Sequence, residues 1–531
     1  MVTKQTSKVR GNGSRSARVP TPIDDPELVF GIVGPIGVNL DAVIDALWKN
    51  LDEVGYKSSL IHLTDLMRVP SIRLRIDDSS YYNRYRTLIS YANAFRAKAG
   101  NPAAMAGLAI LKIMDLRSGI NGLNRVAVDS SEGVEPALGS AFIVRQFKRS
   151  EEIELMRSVY GRKFIQISVF GSSVDRRKVI MEKIAKYSSG SISDAERETQ
   201  AIDLIDMDRN QQDDSNGQRL EEVFHLGDVF VDGISKERCE ITMRRFIRAL
   251  FGDNSISPSR DEYGLYTATA AALRSNDLSR QVGAAIFTKQ GEIISMGCNE
   301  VPKAGGGTYW GEDGPDIHRD FERGSDANQD RKIEIALDLL ERMDKAKLLA
   351  KAGRKPAAQQ AWVKKLIKNA AVDDAQIMDI IEFGRMVHAE MNAVTDAARL
   401  GRSTQSSTLF CTTFPCHMCA KHIVASGIDR VVFLEPYPKS YAQKLHDDSI
   451  TFESGAANKV SFEPFIGISP RRYRDIFEKR KKRKDDRGKP RDWYEARAIP
   501  RIEDKTAAYI ENEEPAVLAT LYKIRRRLNR F

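Results

Sequence analysis

Cysteine is scarce in this chain. Among 531 residues only Cys239, Cys298, Cys411, Cys416 and Cys419 occur, too few and too clustered for a disulfide framework, which leaves reduced thiols or a metal site. No run of about 18 apolar residues is present, so a helical membrane channel or transporter is excluded. The segment Met1 to Pro20 has no apolar centre of the kind a secretory signal needs, and the expected location is the cytoplasm. Residues 1–22 contain no acid at all and five Lys+Arg, set among Ser and Gly, and read as a disordered basic arm. An internal repeat is also lacking, so the α/β regions described next are different domains and not a duplication.

What remains is an ordinary globular composition, with 42% hydrophobic and 29% charged residues. The formal net charge of +9 is unevenly spread. Residues 471–531 hold 20 Lys+Arg against 11 Asp+Glu, so the basic surplus sits at the two ends and the body between them is acidic. The total therefore says little about a nucleic-acid groove in the body of the protein.

Short apolar runs alternate with helical patterns from Leu28 onward. Strands are expected at Leu28–Val33, Ser59–His62, Ala141–Arg145, Phe164–Phe170 and Val229–Val231, with helices between them, which implies a doubly wound parallel sheet over residues 23–250. A second α/β region spans 258–470. It opens with a helix at Tyr263–Arg274 and two strands, Gln281–Thr288 and Glu292–Cys298, joined by the turn signal Lys289-Gln290-Gly291. Further elements follow at Gly384–Arg399, Thr408–Thr412, Cys416–Ser426, Arg430–Leu434 and Lys459–Phe462. Residues 303–383 are polar and helical in pattern and read as an insertion, and residues 471–531 as a basic C-terminal extension.

The most specific signal is Pro415-Cys416-His417-Met418-Cys419. A Pro-Cys-x-x-Cys run is expected by chance only about 0.002 times in a chain of this composition. His388-Ala389-Glu390 is a common pattern alone and gains weight beside the cysteine pair. Thiolates at i and i+3 at the start of one helix point the same way, and an imidazole from a neighbouring helix start supplies a third ligand, leaving one tetrahedral position for water. Glu390, two residues from His388, reaches such a water without ligating the metal. Two other readings stand beside this one: a closed structural zinc site completed by His422 or Cys411, and a thioredoxin-like redox pair.

The combination H-x-E with P-C-x-x-C resembles the zinc nucleobase deaminases. The wider context is similar to the deoxycytidylate deaminases, through Ala271-Ala272-Leu273-Arg274-Ser275, Arg280-Gln281-Val282-Gly283-Ala284-Ala285-Ile286 and Gly297-Cys298-Asn299-Glu300-Val301-Pro302. Cys298 and Glu300 depart from that family's pattern. The resemblance implies a three-layer α/β/α cytidine-deaminase-like domain, with Zn2+ on His388, Cys416 and Cys419 and Glu390 as proton shuttle during hydrolytic attack at C4 of cytosine. Asn299 and Ser275 would lie by the sugar or phosphate, and Tyr437 near the pyrimidine.

In the first domain Gly34-Pro35-Ile36-Gly37-Val38-Asn39-Leu40-Asp41 occupies the strand-to-helix position of a phosphate-binding loop. Against G-x-x-x-x-G-K-[ST], Asn39 replaces the second glycine, Leu40 the lysine and Asp41 the hydroxyl residue. A plain glycine turn with an N-cap is the simpler reading. The later pieces Val144-Arg145-Gln146, Val174-Asp175-Arg176-Arg177 and Gly227-Asp228-Val229-Phe230-Val231-Asp232 resemble a P-loop nucleotide kinase in order, one that has lost phosphoryl transfer but keeps Gly34, Gly37 and Asn39 as candidate nucleotide contacts. The pairing of the two domains is similar to the bacterial deoxycytidylate deaminases of phage defence. That likeness implies free dCTP and dCMP as substrates, a regulatory nucleotide on either domain, an inhibitory RNA partner and a homo-oligomer, with a hexamer as the candidate size. A polynucleotide deaminase acting on tRNA or single-stranded DNA, using Lys479 to Arg487 and Arg525 to Arg530 as a phosphate track, and a non-catalytic nucleotide-binding regulator are the alternatives.

Overall fold

The computed structural model describes residues 23–121, 135–187, 192–211, 214–314, 317–349, 375–437, 440–453, 455, 458–502 and 506–524. The expected arm at 1–22, the centre of the insertion and the basic run Arg525 to Arg530 lie outside them.

The first sheet is built on β1 (Leu28–Val33), whose six residues are all buried, as a strand covered by helices on both faces requires. A turn leads into α1 (Leu40–Glu53), capped by the Asn39 side chain, which accepts from Ala42 N–H. Then come β2 (Lys57–His62), α2 (Tyr81–Ala99), α3 (Ala104–Ile120), β3 (Ser140–Arg145), α4 (Ser150–Tyr160), β4 (Phe164–Phe170), α5 (Ser173–Tyr187), α6 (Asp194–Arg209), β5 (Val229–Asp232) and α7 (Lys236–Leu250). The strand order is β12 (Gly467–Ile468), β5, β4, β1, β3, β2. The five strands β1 to β5 run parallel, and the crossover from β1 passes over β3 while the one from β3 passes over β1. A crevice therefore opens outside the carboxyl ends of β1 and β3, the place where open α/β sheets hold ligands.

The second sheet, of order β10 (Ile450–Thr451), β11 (Val460–Pro464), β9 (Arg430–Glu435), β8 (Thr408–Thr413), β6 (Gly283–Phe287), β7 (Ile293–Cys298), starts after α8 (Arg260–Ala272). The expected hairpin forms from β6 (Gly283–Phe287) and β7 (Ile293–Cys298). Helix α9 (Ala327–Lys345) belongs to the insertion, and α10 (Ala389–Arg399) follows it. Next are β8 (Thr408–Thr413), α11 (His417–Ala425), β9 (Arg430–Glu435), β10 (Ile450–Thr451) and β11 (Val460–Pro464). One face of this sheet carries the alanine stripe of α10 (Ala389, Ala393, Ala397) with Ile423 of α11. The other face packs Leu265 and Ala268 of α8, which completes three layers.

The end of the chain differs from the sequence division at 470. Two residues, β12 (Gly467–Ile468), join the first sheet antiparallel to β5. Helix α12 (Pro470–Phe477) and Ile502 enter one core of the first sheet, while α13 (Ile510–Leu521) enters the other through Val517 and Leu521. The segment read as a basic C-terminal extension packs on the first sheet through the apolar side chains of α13 and the buried carboxylate of Glu513. Helix α6 was also missed by sequence reading, because its sequence DAERETQAIDLIDMDR is dominated by charge.

Candidate metal centre and the phosphate-loop turn

Two helix starts converge at the end of the second sheet. His388 is the N-cap of α10 and Cys416 the N-cap of α11. Helix α10 approaches β7 closely because residue 297 is glycine: a Cβ there would lie 2.3 Å from Ala389 O. On the other side Phe414 N–H donates to Glu435 O at 2.7 Å, fixing the loop that carries Pro415 and Cys416 off β8.

This brings His388, Cys416 and Cys419 together, their ligand atoms all within 4.8 Å of one another. His388 Nδ1 stands 3.3 Å from Cys416 Sγ and 3.4 Å from Cys419 Sγ. Zinc bonds of about 2.3 Å to sulfur and about 2.05 Å to nitrogen at a tetrahedral angle would separate nitrogen from sulfur by about 3.6 Å, so the donor set fits zinc with only a slight expansion. Cys411 Sγ instead faces Val432 O at 3.7 Å. Neither Cys411 nor His422 enters the cluster among the described residues, so neither closes it as a fourth ligand. The Cys416 thiol is pulled down to about 4, first by the hydrogen bond with Cys419 and then by His388, and the His388 imidazole is raised chiefly by Cys416. A Cys416 thiolate at a helix N-terminus is the state a sulfur ligand to a metal needs.

Glu390 is buried, and its Oε2 accepts from Cys419 Sγ at 3.4 Å. Burial, and after it the Cys416 charge, push its carboxyl upward. A cavity of about 170 Å3 opens over Glu390, His388 and Cys416 and reaches Asn299 and Tyr437. Ser275 does not line it; its Oγ donates to Asn299 O at 2.7 Å from behind. The Asn299 amide is committed to the fold: its oxygen accepts from Val282 N–H at 2.7 Å, and its nitrogen donates to Asp277 at 2.9 Å and to Arg280 O at 2.7 Å. Asn299 therefore shapes the 277–282 loop that forms one wall.

Sequence reasoning missed part of the wall. Asp277, Asp326 and Asn328 line the cavity, the last two from the start of α9. Asp326 caps that helix by accepting from Asn328 and Gln329 N–H, so the Asp-Ala-Asn-Gln start was a readable cap signal, but nothing local showed where it would point. Three basic residues, Arg274, Arg280 and Lys303, lie in the segments around Asn299. Arg274 is held under the Trp310 ring and bonded to Thr308, and Lys303 pairs with Asp313 at 2.5 Å. Arg280 does line the cavity, paired with Glu435 at 2.9 Å and 5.5 Å from the centre of the Tyr437 ring.

The turn after β1 is tight. Gly37 has φ +93°, and a Cβ there would lie 2.8 Å from Arg176 O. Two of its donors are engaged: Ile36 N–H donates to Asp208 Oδ2 at 2.6 Å and Asn39 N–H to Gly233 O at 2.8 Å. Lys148 Nζ donates to Gly34 O at 2.8 Å and to Asp208 Oδ1 at 2.6 Å. A carboxylate from α6 thus sits against the turn where a phosphate would be held.

Residues 258–435 match the family described as "Cytidine and deoxycytidylate deaminase zinc-binding region". The chain is 46% identical over 54 residues to the deoxycytidylate deaminase of Enterobacteria phage T2, covering 10% of this chain and 29% of that protein. It is 24% identical over 295 residues to the deoxycytidylate deaminase of Saccharomyces cerevisiae, covering 54% and 73%. The crystal structure of the dCMP deaminase from cyanophage S-TIM5 in complex with dCMP and dUMP aligns at 19% identity and a TM-score of 0.23, over 40% of this chain and 99% of that one. The chain thus spans under a third of the length of the phage T2 relative. It carries a deaminase zinc-binding domain whose His, Cys, Cys cluster is compatible with zinc.

Proposed function

We propose that the chain hydrolyses the amino group from free deoxycytidine nucleotides, dCMP or dCTP, releasing ammonia. The observation that carries this reading is the buried Glu390 carboxyl, set between the His388, Cys416 and Cys419 donors and a cavity of about 170 Å3. Zinc on those three residues would act as a Lewis acid that lowers the pKa of water to about 7. Glu390 is placed to take a proton from the attacking water, to hand it to N3 of the ring and to carry a second to the departing amine. Its burial keeps bulk solvent from competing for the proton. Phe414 and Tyr437 offer aromatic surface to a pyrimidine, and Arg280 is placed to meet a phosphate by exchanging its bond to Glu435.

Asp277 and Asp326 beside the cavity disfavour a polynucleotide, whose flanking phosphates need cations on both sides of the pocket. The test is to incubate purified protein with dCMP, dCTP, CTP and a cytosine-containing oligonucleotide and to measure ammonia. Release from the free deoxynucleotides is expected, and uracil formation confined to the oligonucleotide would overturn the reading.

The first domain belongs to the same proposal as a P-loop-kinase-like unit without phosphoryl transfer. Leu40 cannot hold a β- or γ-phosphate, and Asp41 and Asp208 repel one. On the resemblance to phage-defence deaminases, the biological role is depletion of dCTP during infection, with restraint by an RNA partner and assembly into a homo-oligomer. Nuclease treatment of the purified protein followed by sedimentation tests both of the last two.

A further inference from the structure

The basic run that follows α12 turns back against the segment 493–502. With Phe251, just past α7, the two form a cavity of about 170 Å3 lined by Arg480, Lys481, Trp493, Arg497 and Arg501. Its frame is held by hydrogen bonds: Arg501 N–H donates to Leu250 O at 2.7 Å, Trp493 N–H to Asn254 Oδ1 at 3.0 Å, and Trp493 Nε1 to Lys482 O at 3.0 Å. Ile502, next to Arg501, is buried in a core of the first sheet. Among the described residues Asp475 is the one acid on the lining, and Arg162 at 2.7 Å and Arg472 at 3.5 Å already neutralise it. Arg497 is likewise spent on Asp24 and Asp25.

Three cations remain. Arg480 shares Glu478 with Arg474, and Lys481 and Arg501 make no ion pair among the described residues. Arg501 donates Nη2 to Glu478 O and lies 5.6 Å from the centre of the Trp493 ring, while its Nη1 is buried without a hydrogen-bond partner. Burial, and after it the Arg480 charge, push this guanidinium below its ordinary value, and burial and then Arg501 do the same to Lys479. A solvated basic face keeps its charges apart and its donors wet. Here like charges are gathered and a donor is left unmatched, an arrangement that an anion would complete. We propose that this pocket binds a terminal phosphate as a dianion, on Arg501 and Lys481 with Arg480 beside them. A phosphate monoester carries about −1.5 to −2 at neutral pH, the complement of the two cations that lack a counter-charge, and it offers three oxygens to forked guanidinium donors. An internal phosphodiester carries one charge and would leave the second cation unmatched, so the pocket suits an end group and not a stretch of backbone. Inorganic phosphate and the 5′-phosphate of a strand present the same dianion. Nothing in this pocket depends on whether the second domain deaminates nucleotides.

The test is calorimetric titration of the full-length, zinc-loaded protein in phosphate-free buffer with inorganic phosphate, with dimethyl phosphate, and with a short oligothymidylate carrying either a 5′-phosphate or a 5′-hydroxyl. One site per chain is expected for inorganic phosphate, for the 5′-phosphorylated strand or for both, with dimethyl phosphate and the 5′-hydroxyl strand weaker by about tenfold or more. The tighter of the two dianions identifies the source. Lys481→Gln and Arg501→Gln should each weaken that binding by about tenfold or more. Lys481 is exposed, so its variant should keep the Tm of the parent and reads the site even where Arg501→Gln disturbs the frame. Arg280→Ala in the other cavity should leave binding intact. The proposal is overturned if neither dianion binds, if the 5′-hydroxyl strand binds as tightly as the phosphorylated one, or if binding survives Lys481→Gln and disappears in Arg280→Ala.

Discussion

In the proposed function Glu390 and Cys416 have different roles, and single substitutions separate them. Glu390→Gln keeps the shape of the side chain and removes its capacity to carry a proton, so zinc content should be retained while turnover falls by about two to four orders of magnitude. Near-normal turnover would assign the proton to another group. Cys416→Ala removes one of three donors, and elemental analysis should show zinc falling well below one per chain; unchanged zinc would dismiss the cluster as the metal centre. These residues were legible in the sequence because Pro-Cys-x-x-Cys is rare and two helix starts fix where its side chains point. Asn299 was legible as important but not in its manner of acting. Its amide has three partners inside the protein, and no sequence pattern distinguishes such an amide from one that meets a ligand. Asn299→Ala should therefore cost about 1–3 kcal/mol in denaturant unfolding, the range for leaving buried polar groups unpaired. A variant as stable as the parent but impaired in substrate binding would restore the direct role.

At the scale of elements, strands with a continuous apolar run were readable almost to the residue. Phe164–Phe170 was expected and observed with the same limits. The elements that escaped are those whose stability comes from distant partners. Helix α13 contains Pro515 and begins with acids, yet it docks on α3 so closely that a Cβ on Gly107 would lie 2.1 Å from Thr520 Oγ1. Beneath that contact Arg117, fully buried, donates to Glu27 at 2.7 Å and to Glu513 at 2.5 Å, and Tyr160 donates to Glu513 at 2.8 Å. One arginine of α3 thus holds two carboxylates, one from the residue before β1 and one from α13, across nearly the whole sequence. Removing the arginine leaves both carboxylates unpaired in a low-dielectric interior, a loss of about 3–5 kcal/mol. Arg117→Met should therefore lower the unfolding free energy by that amount, measured in guanidinium. A change under about 1 kcal/mol would mean that this cluster contributes little. Deleting the chain from 478 onward is accordingly expected to unfold the first domain and would not isolate a role for its charge.

At the scale of the molecule, the two sheets are joined by more than a linker. Phe230 of the first sheet packs at 5.7 Å from Phe465, in one core with Leu265, Phe410 and Val432 of the second domain. Tyr266 of α8 stacks on Tyr473 of α12 with ring centres 4.0 Å apart. At the centre of this junction is Glu262, 1% exposed. Its carboxylate accepts from Arg245 of α7 at 2.5 and 2.8 Å, from Ile468 N–H of β12 at 2.9 Å and from Ser259 N–H at 2.8 Å, where it completes the capping box of α8. One side chain thus holds a helix of the first domain, a helix of the second and the strand that returns between them. Coupling of this kind predicts a single cooperative calorimetric transition for the zinc-loaded protein, although chains of this length commonly unfold domain by domain. Glu262→Ala leaves Arg245 without its carboxylate and Ile468 N–H without its acceptor, and should split the transition into two, the first-domain component moving to lower temperature while zinc content is preserved. Two separate transitions in the parent protein, or one unchanged transition in the variant, would show that the domains are joined only by the chain.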